Sequence, residues 1–222
     1  MAQLILVIGN KNYSSWSLRP WLAMKQAGLD FTEVRIPLDL PNSLQEIQRY
    51  SPTGKVPILV HDDLTIWESI AICEYIVDYF APELLPRDRA ARAIARSISA
   101  EMHAGFHNLR QGMPMDCRSR YPNEGITLEV QADIERIKKL WQECRNQFGG
   151  KGKFLFGDFT IADAMFAPVI SRFATYGVQL DPVGQDYAEA IWSLPAMQEW
   201  IDIASQETET IADLHSIQLL DG

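Results

Sequence analysis

Leu4-Ile5-Leu6-Val7-Ile8 is an unbroken apolar run, the pattern of a strand covered on both faces. A polar stretch, Asn10-Lys11-Asn12-Tyr13-Ser14-Ser15, separates it from a helical pattern over residues 17–27. There Leu18, Trp21, Leu22 and Ala27 share one side and Gly28 marks the stop. Pro20 fits a first turn, where the N–H it lacks has no intrahelical partner, so the helix starts beside Ser15 to Ser17. Phe31 to Ile36 alternates like a half-buried strand, and Pro41 and Asn42 open a short helix to Tyr50. After the turn Ser51-Pro52-Thr53-Gly54, Val56 to Val60 forms a strand. The link His61-Asp62-Asp63 is so short that the next strand, Leu64 to Trp67, must run antiparallel to it. Ser69 begins a helix to Tyr79 or Phe80 with Ile72, Tyr75, Ile76 and Tyr79 near one face. The predicted order is β-α-β-α-β-β-α, a small mixed sheet.

Beyond this the pattern changes. Ala81 to Asp88 carries two prolines and reads as a linker, which divides the chain into residues 1–81, a connection at 82–87 and a helical part at 88–222. Ala91, Ile94, Ile98, Met102, Gly105 and Leu109 recur at steps of three and four and predict one helix from Asp88 to Arg110. Val130, Ile134, Ile137, Trp141, Cys144 and Phe148 predict another, opened by Thr127 and ended by Gly149-Gly150. Thr160 and Asp163 form an N-cap pair for a helix to Thr175 that is apolar nearly all round, hence central and buried. Pro195 starts a last helix through Ala204. The fold class is therefore α/β followed by all-α.

Composition narrows the chemistry. Lys+Arg 20 against Asp+Glu 29 leaves a net charge of −9 over 222 residues, which repels phosphate backbones and anionic lipid. No nucleic-acid or membrane partner is expected, and no apolar run reaches membrane-spanning length. The N-terminus lacks a basic region and a cleavage pattern and is expected to be a strand, not a signal peptide. Cys73, Cys117 and Cys144 are isolated and odd in number, which suits a reducing cytoplasm and excludes a disulfide scaffold. The histidines lack metal-site grouping, so no metal is expected.

Four motifs, in order, carry a resemblance to a known family. Ser14-Ser15-Trp16-Ser17-Leu18-Arg19 is similar to the Ser-Ser-Cys-x-Trp-Arg segment of serine-type, zeta-like members of the cytosolic glutathione transferases, the group related to maleylacetoacetate isomerase. Lys55-Val56-Pro57 resembles their segment with a cis proline, Glu68-Ser69 the pair that holds the γ-glutamyl end of glutathione, and Phe159 to Asp163 their capping motif. The resemblance implies a thioredoxin-like N-terminal domain, an all-helical C-terminal domain, glutathione as co-substrate and a homodimer. It implies conjugation of glutathione to a small electrophile, or an isomerisation that uses it. The alternatives are a non-catalytic binding or scaffold protein, and a glutathione-dependent reductase or peroxidase. The reductase needs a cysteine at the first helix N-terminus, which this loop lacks.

The implied chemistry has a physical basis. A free thiol with pKa near 8.5 is mostly protonated at neutral pH, and lowering it by roughly two units takes about 2.7 kcal/mol. A hydroxyl donating to sulfur supplies part of this, and a helix N-terminus supplies more. Ser14 and Ser15 are the candidates, with Ser14 favoured by the double-serine register and Tyr13 a third choice; all the serines also suit simple helix capping. Val56 and Pro57 would pair with the tripeptide backbone, Ser69 with its carboxylate, Glu68 with its ammonium, and Lys55 with a carboxylate or only with solvent. The electrophile is expected between the domains. Trp16, standing where zeta-like members have cysteine, would narrow that mouth, and His103, Phe106, His107 and Arg110 form a mixed stripe that equally suits packing. Thr175 falls where zeta-like members have a basic residue for an acidic substrate, and Arg172, one turn earlier, would take that place in the electrophile site.

Overall fold

The computed structural model describes residues 3–211. The ends of the two predicted domains, 1–2 and 212–222, lie outside the described residues. Four strands form one sheet: β1 (Leu4–Ile8), β2 (Thr32–Arg35), β3 (Ile58–His61) and β4 (Leu64–Trp67), in the order β2-β1-β3-β4. β1 pairs parallel with β2, while β1 with β3 and β3 with β4 are antiparallel. The helices interleaved with them are α1 (Ser15–Gln26), α2 (Ser43–Gln48) and α3 (Ser69–Tyr79).

Alternation along the central strand explains its apolar run. Leu4, Leu6 and Ile8 join α1 and α3 in one cluster, while Val7 faces a second cluster with Ile36, Leu38, Ile47 of α2, Val56 and Ile58. α1 is buried on nearly every side because it lies between the sheet and the helical part.

After a 3-10 turn at Pro82–Leu84, in the segment read as a linker, come α4 (Arg89–Ala104), α5 (His107–Gly112), α6 (Leu128–Phe148), α7 (Ile161–Tyr176), α8 (Pro182–Trp192) and α9 (Pro195–Gln206). The single helix expected from Asp88 to Arg110 is two. Gly105 and Phe106 break it, Phe106 at φ +58, and a Cβ at Gly105 would stand 2.8 Å from the Glu101 carbonyl oxygen. Ile94, expected on the inner face, is exposed, and Ala95 lies inside instead. α8, with Asp181 as N-cap and Pro182 in its first turn, was not anticipated from the pattern.

α7 is the core of the helical part: every residue in it except Ala174 is buried. Its capping box is formed, with Asp163 Oδ2 accepting from the Thr160 N–H at 2.7 Å and the Thr160 hydroxyl at 2.9 Å. α7 packs on both α1 and α4, so one apolar cluster runs from the sheet through α1 into the helices. That continuity holds the start of α1 rigidly against the helical part.

Candidate active site

The loop between β1 and α1 delivers both serines. Asn10, Lys11 and Asn12, a polar run that looks solvated, are all buried. Lys11 Nζ pairs with Glu33 at 2.6 Å and lies 4.4 and 4.7 Å from the ring centroids of Trp21 and Trp200. Burial outweighs these attractions and lowers the Lys11 pKa. Glu207, beyond α9, accepts from the backbone N–H groups of Lys11 at 2.8 Å and Asn12 at 3.0 Å. Asn12 Nδ2 donates to Asp116 at 2.9 Å. The loop is thus tethered to two distant segments.

Ser14 is the N-cap of α1: its oxygen accepts from the Ser17 N–H at 3.2 Å, and its hydroxyl donates to Ser17 Oγ at 2.6 Å. Ser15 is the first helical residue, and its Oγ accepts from Arg172 Nη2 at 3.1 Å. Tyr13 faces the second apolar cluster, with its hydroxyl accepting from Arg118 Nη2 at 2.8 Å, so it stands across the sheet from α1.

The Val56–Pro57 peptide is cis. Lys55, Val56, Pro57 and Glu68 line one small pocket with Thr53 and Trp67. Glu68 adopts φ +67 and ψ 123, a backbone state that costs an L residue about 1–3 kcal/mol and concentrates at ligand clamps. Ser69 opens α3, and its Oγ accepts from Arg19 Nη1 at 3.5 Å. The Arg19 guanidinium lies 4.1 Å from the Trp16 ring and that of Arg110 5.2 Å, while His103 meets the ring edge-on at 5.1 Å. His103 Nε2 is 3.5 Å from Glu68 Oε2. Burial, helped by Arg19, lowers the His103 pKa despite Glu68, which leaves the imidazole neutral at pH 7.

The structure therefore gathers Trp16, Glu68, Ser69, His103 and Arg110 around Arg19. Sequence reasoning gave Arg19 no role of its own; the available signal was one cation within the apolar stretch Leu18 to Met24. Phe106, placed in the electrophile stripe from sequence, turns into the core at the helix break. His107 is exposed, with Nδ1 3.1 Å from Arg110 Nη2. Arg172 is buried and reaches Ser15 and the Met113 carbonyl oxygen, the latter at 2.9 Å. Each of the three cysteine thiols is buried and pushed up to about 12, and none lies at the start of α1. Among the described residues there is no group of three or more His, Cys, Asp or Glu that could hold a metal, and no helix long and apolar enough to cross a membrane.

Residues 13–78 match the model of the glutathione S-transferase N-terminal domain, and 128–202 that of the C-terminal domain. The chain is 31% identical to rat maleylacetoacetate isomerase over 178 residues, 76% of this chain and 77% of that protein. It is 27% identical to the stringent starvation protein A homolog of Coxiella burnetii over 180 residues, 81% and 80% of the two chains. The structure of a Burkholderia glutathione transferase homologue with bound glutathione matches with a TM-score of 0.68 at 28% identity, covering 92% of this chain and 100% of that one. The chain belongs to the glutathione S-transferase family, with a thioredoxin-like N-terminal domain and an all-helical C-terminal domain.

Proposed function

We propose that this protein is a glutathione transferase that binds glutathione beside Val56, Pro57, Glu68 and Ser69 and holds its thiol as thiolate at the start of α1. One observation carries the reading: the pocket edged by the cis Val56–Pro57 peptide also holds Glu68, in strained backbone, directly before the N-terminus of α3. An N-terminus offers free N–H groups to a carboxylate, and Glu68 offers an anion to an ammonium, the two ends of a γ-glutamyl group. Lys55 adds a cation at the same pocket for a second carboxylate. Ser14 serves as cap, which supports Ser15 as the hydroxyl that donates to sulfur.

The glutathione thiolate forms an S–C bond with an electrophile, either displacing a leaving group such as chloride or adding to a double bond whose π pair then takes up a proton. In an isomerisation the S–C bond breaks again after rotation and releases glutathione. The protein lowers the energy of the anion, and the thiol proton leaves to solvent. Trp16, His103 and Arg110 form the wall where the electrophile would lie, with two guanidiniums that suit an acidic substrate. We place the domain boundary at 82–87, take the protein to act in the cytoplasm and expect it to pair as a homodimer.

Calorimetry with glutathione, together with ultraviolet thiolate absorbance of the bound tripeptide against pH, tests this. Binding with a thiol pKa below that of free glutathione is expected. A second reading is a binding protein without catalysis, since this fold can carry either function. Absence of glutathione binding would select it. The reductase alternative has no support, because no thiol stands at the site.

A further inference from the structure

Arg172 sits on α7, on the opposite side of the domain interface from Ser15 at the start of α1, 157 residues away in sequence. Its guanidinium is locked in orientation: Nε donates to the Met113 carbonyl oxygen at 2.9 Å and Nη1 lies 3.5 Å from that of Pro168. Nη2 then meets Ser15 Oγ at 3.1 Å. A guanidinium has donors and no acceptor, so this contact occupies a lone pair of the serine oxygen and cannot use its proton. Ser14 differs, since its proton goes to Ser17 Oγ.

We propose that Arg172 is a positioning residue for thiol activation: its donated hydrogen bond orients and polarises the Ser15 hydroxyl so that the Ser15 proton is presented to the sulfur of glutathione. The inference rests on the reading that Ser15 serves the sulfur. It moves Arg172 from the electrophile wall, where the sequence placed it, to a place behind the serine. Hydrogen bonds in a chain strengthen one another, and a charged donor at the head of the chain is the strong case. Other charges lie nearby: Arg19 on α1, Glu68 before α3 and Arg110 on α5 all act on His103 of α4, while Asp116 and Glu207 act with Arg172 on Cys117. They act on sulfur through space, whereas Arg172 acts through Ser15. This difference can be measured.

The experiment is a double-mutant cycle on the full chain. The readout is the thiol pKa of bound glutathione by ultraviolet absorbance, with the pH profile of kcat/KM for a chlorinated aromatic electrophile. Arg172→Met and Ser15→Ala are each expected to raise the thiol pKa by about one unit, roughly a tenfold loss of thiolate below that pKa. Together they should do no more than either alone, because the arginine works only through the serine. Arg172→Lys should restore part of the acidity. An unchanged pKa in Arg172→Met, or shifts that add in the double variant, overturns the proposal. Should Arg172→Met not fold, Ser14→Ala decides: if it abolishes acidification while Ser15→Ala does not, the proposal is equally overturned. These outcomes leave glutathione binding intact, so they are distinct from failure of the functional reading, in which the wild-type protein neither binds glutathione nor acidifies it.

Discussion

Neighbouring hydroxyls on one loop do different work because a helix start treats consecutive positions differently. Ser14 precedes the first turn and caps it, and Ser15 lies within that turn and faces α7. Ser14→Ala should therefore lower stability by about 1 kcal/mol in urea denaturation, and acidify the thiol less poorly than Ser15→Ala does. Asp163 offers a pH test. Burial raises its pKa from 3.8 to about 6, against the pull of the Leu155 and Thr160 N–H groups. The folded state thus holds this proton more tightly than the unfolded chain. Its contribution to stability is full below pH 3.8 and is lost as pH rises through about 6. Urea denaturation of wild type against Asp163→Asn should show the difference in stability shrinking over that window. The thiols, each pushed up to about 12, should resist an aromatic disulfide reagent in the native protein and react on unfolding. Rapid labelling of the native protein would contradict their burial.

Elements whose pattern was strong matched their boundaries closely: β4 spans Leu64–Trp67 and α3 spans Ser69–Tyr79. The capping pair of α7 was legible because its partners are three residues apart, within one turn. The break between α4 and α5 was not, because apolar spacing continues through it while Gly105 and Phe106 reverse the backbone. The stripe from His103 to Arg110 is consequently no single face: Phe106 enters the core, and His103 and Arg110 both turn to Trp16. Gly105→Ala is expected to destabilise by about 1–3 kcal/mol, since the new Cβ meets a carbonyl rather than a yielding side chain. Thermal denaturation checks it, and a neutral result would mean that the α4 end relaxes freely.

Across the molecule, the segment after α9 closes over the loop that presents the serines. Glu207 accepts two loop N–H groups and also lies 3.3 Å from Arg35 Nη1, while Arg118 donates to the carbonyl oxygens of Glu207 and Glu209. Ile211 completes the second apolar cluster. Removing the carboxylate strands two buried N–H groups at about 1–3 kcal/mol each. Glu207→Ala should thus lose about 2–6 kcal/mol in chemical denaturation, with a raised KM for glutathione as the loop loosens. An unchanged KM would separate this tether from the site. Local patterning was enough for the four strands, for α1 to α3 and for the capping pair of α7, because each rests on partners within a few residues. The cis Val56–Pro57 peptide, by contrast, was expected only through the family resemblance. The burial of Lys11, the gathering of Arg19, Trp16, His103 and Arg110, and the reach of Arg172 to Ser15 depend on partners far along the chain. A lone polar residue carries no mark of the distant group that will pair with it once packing brings the two together.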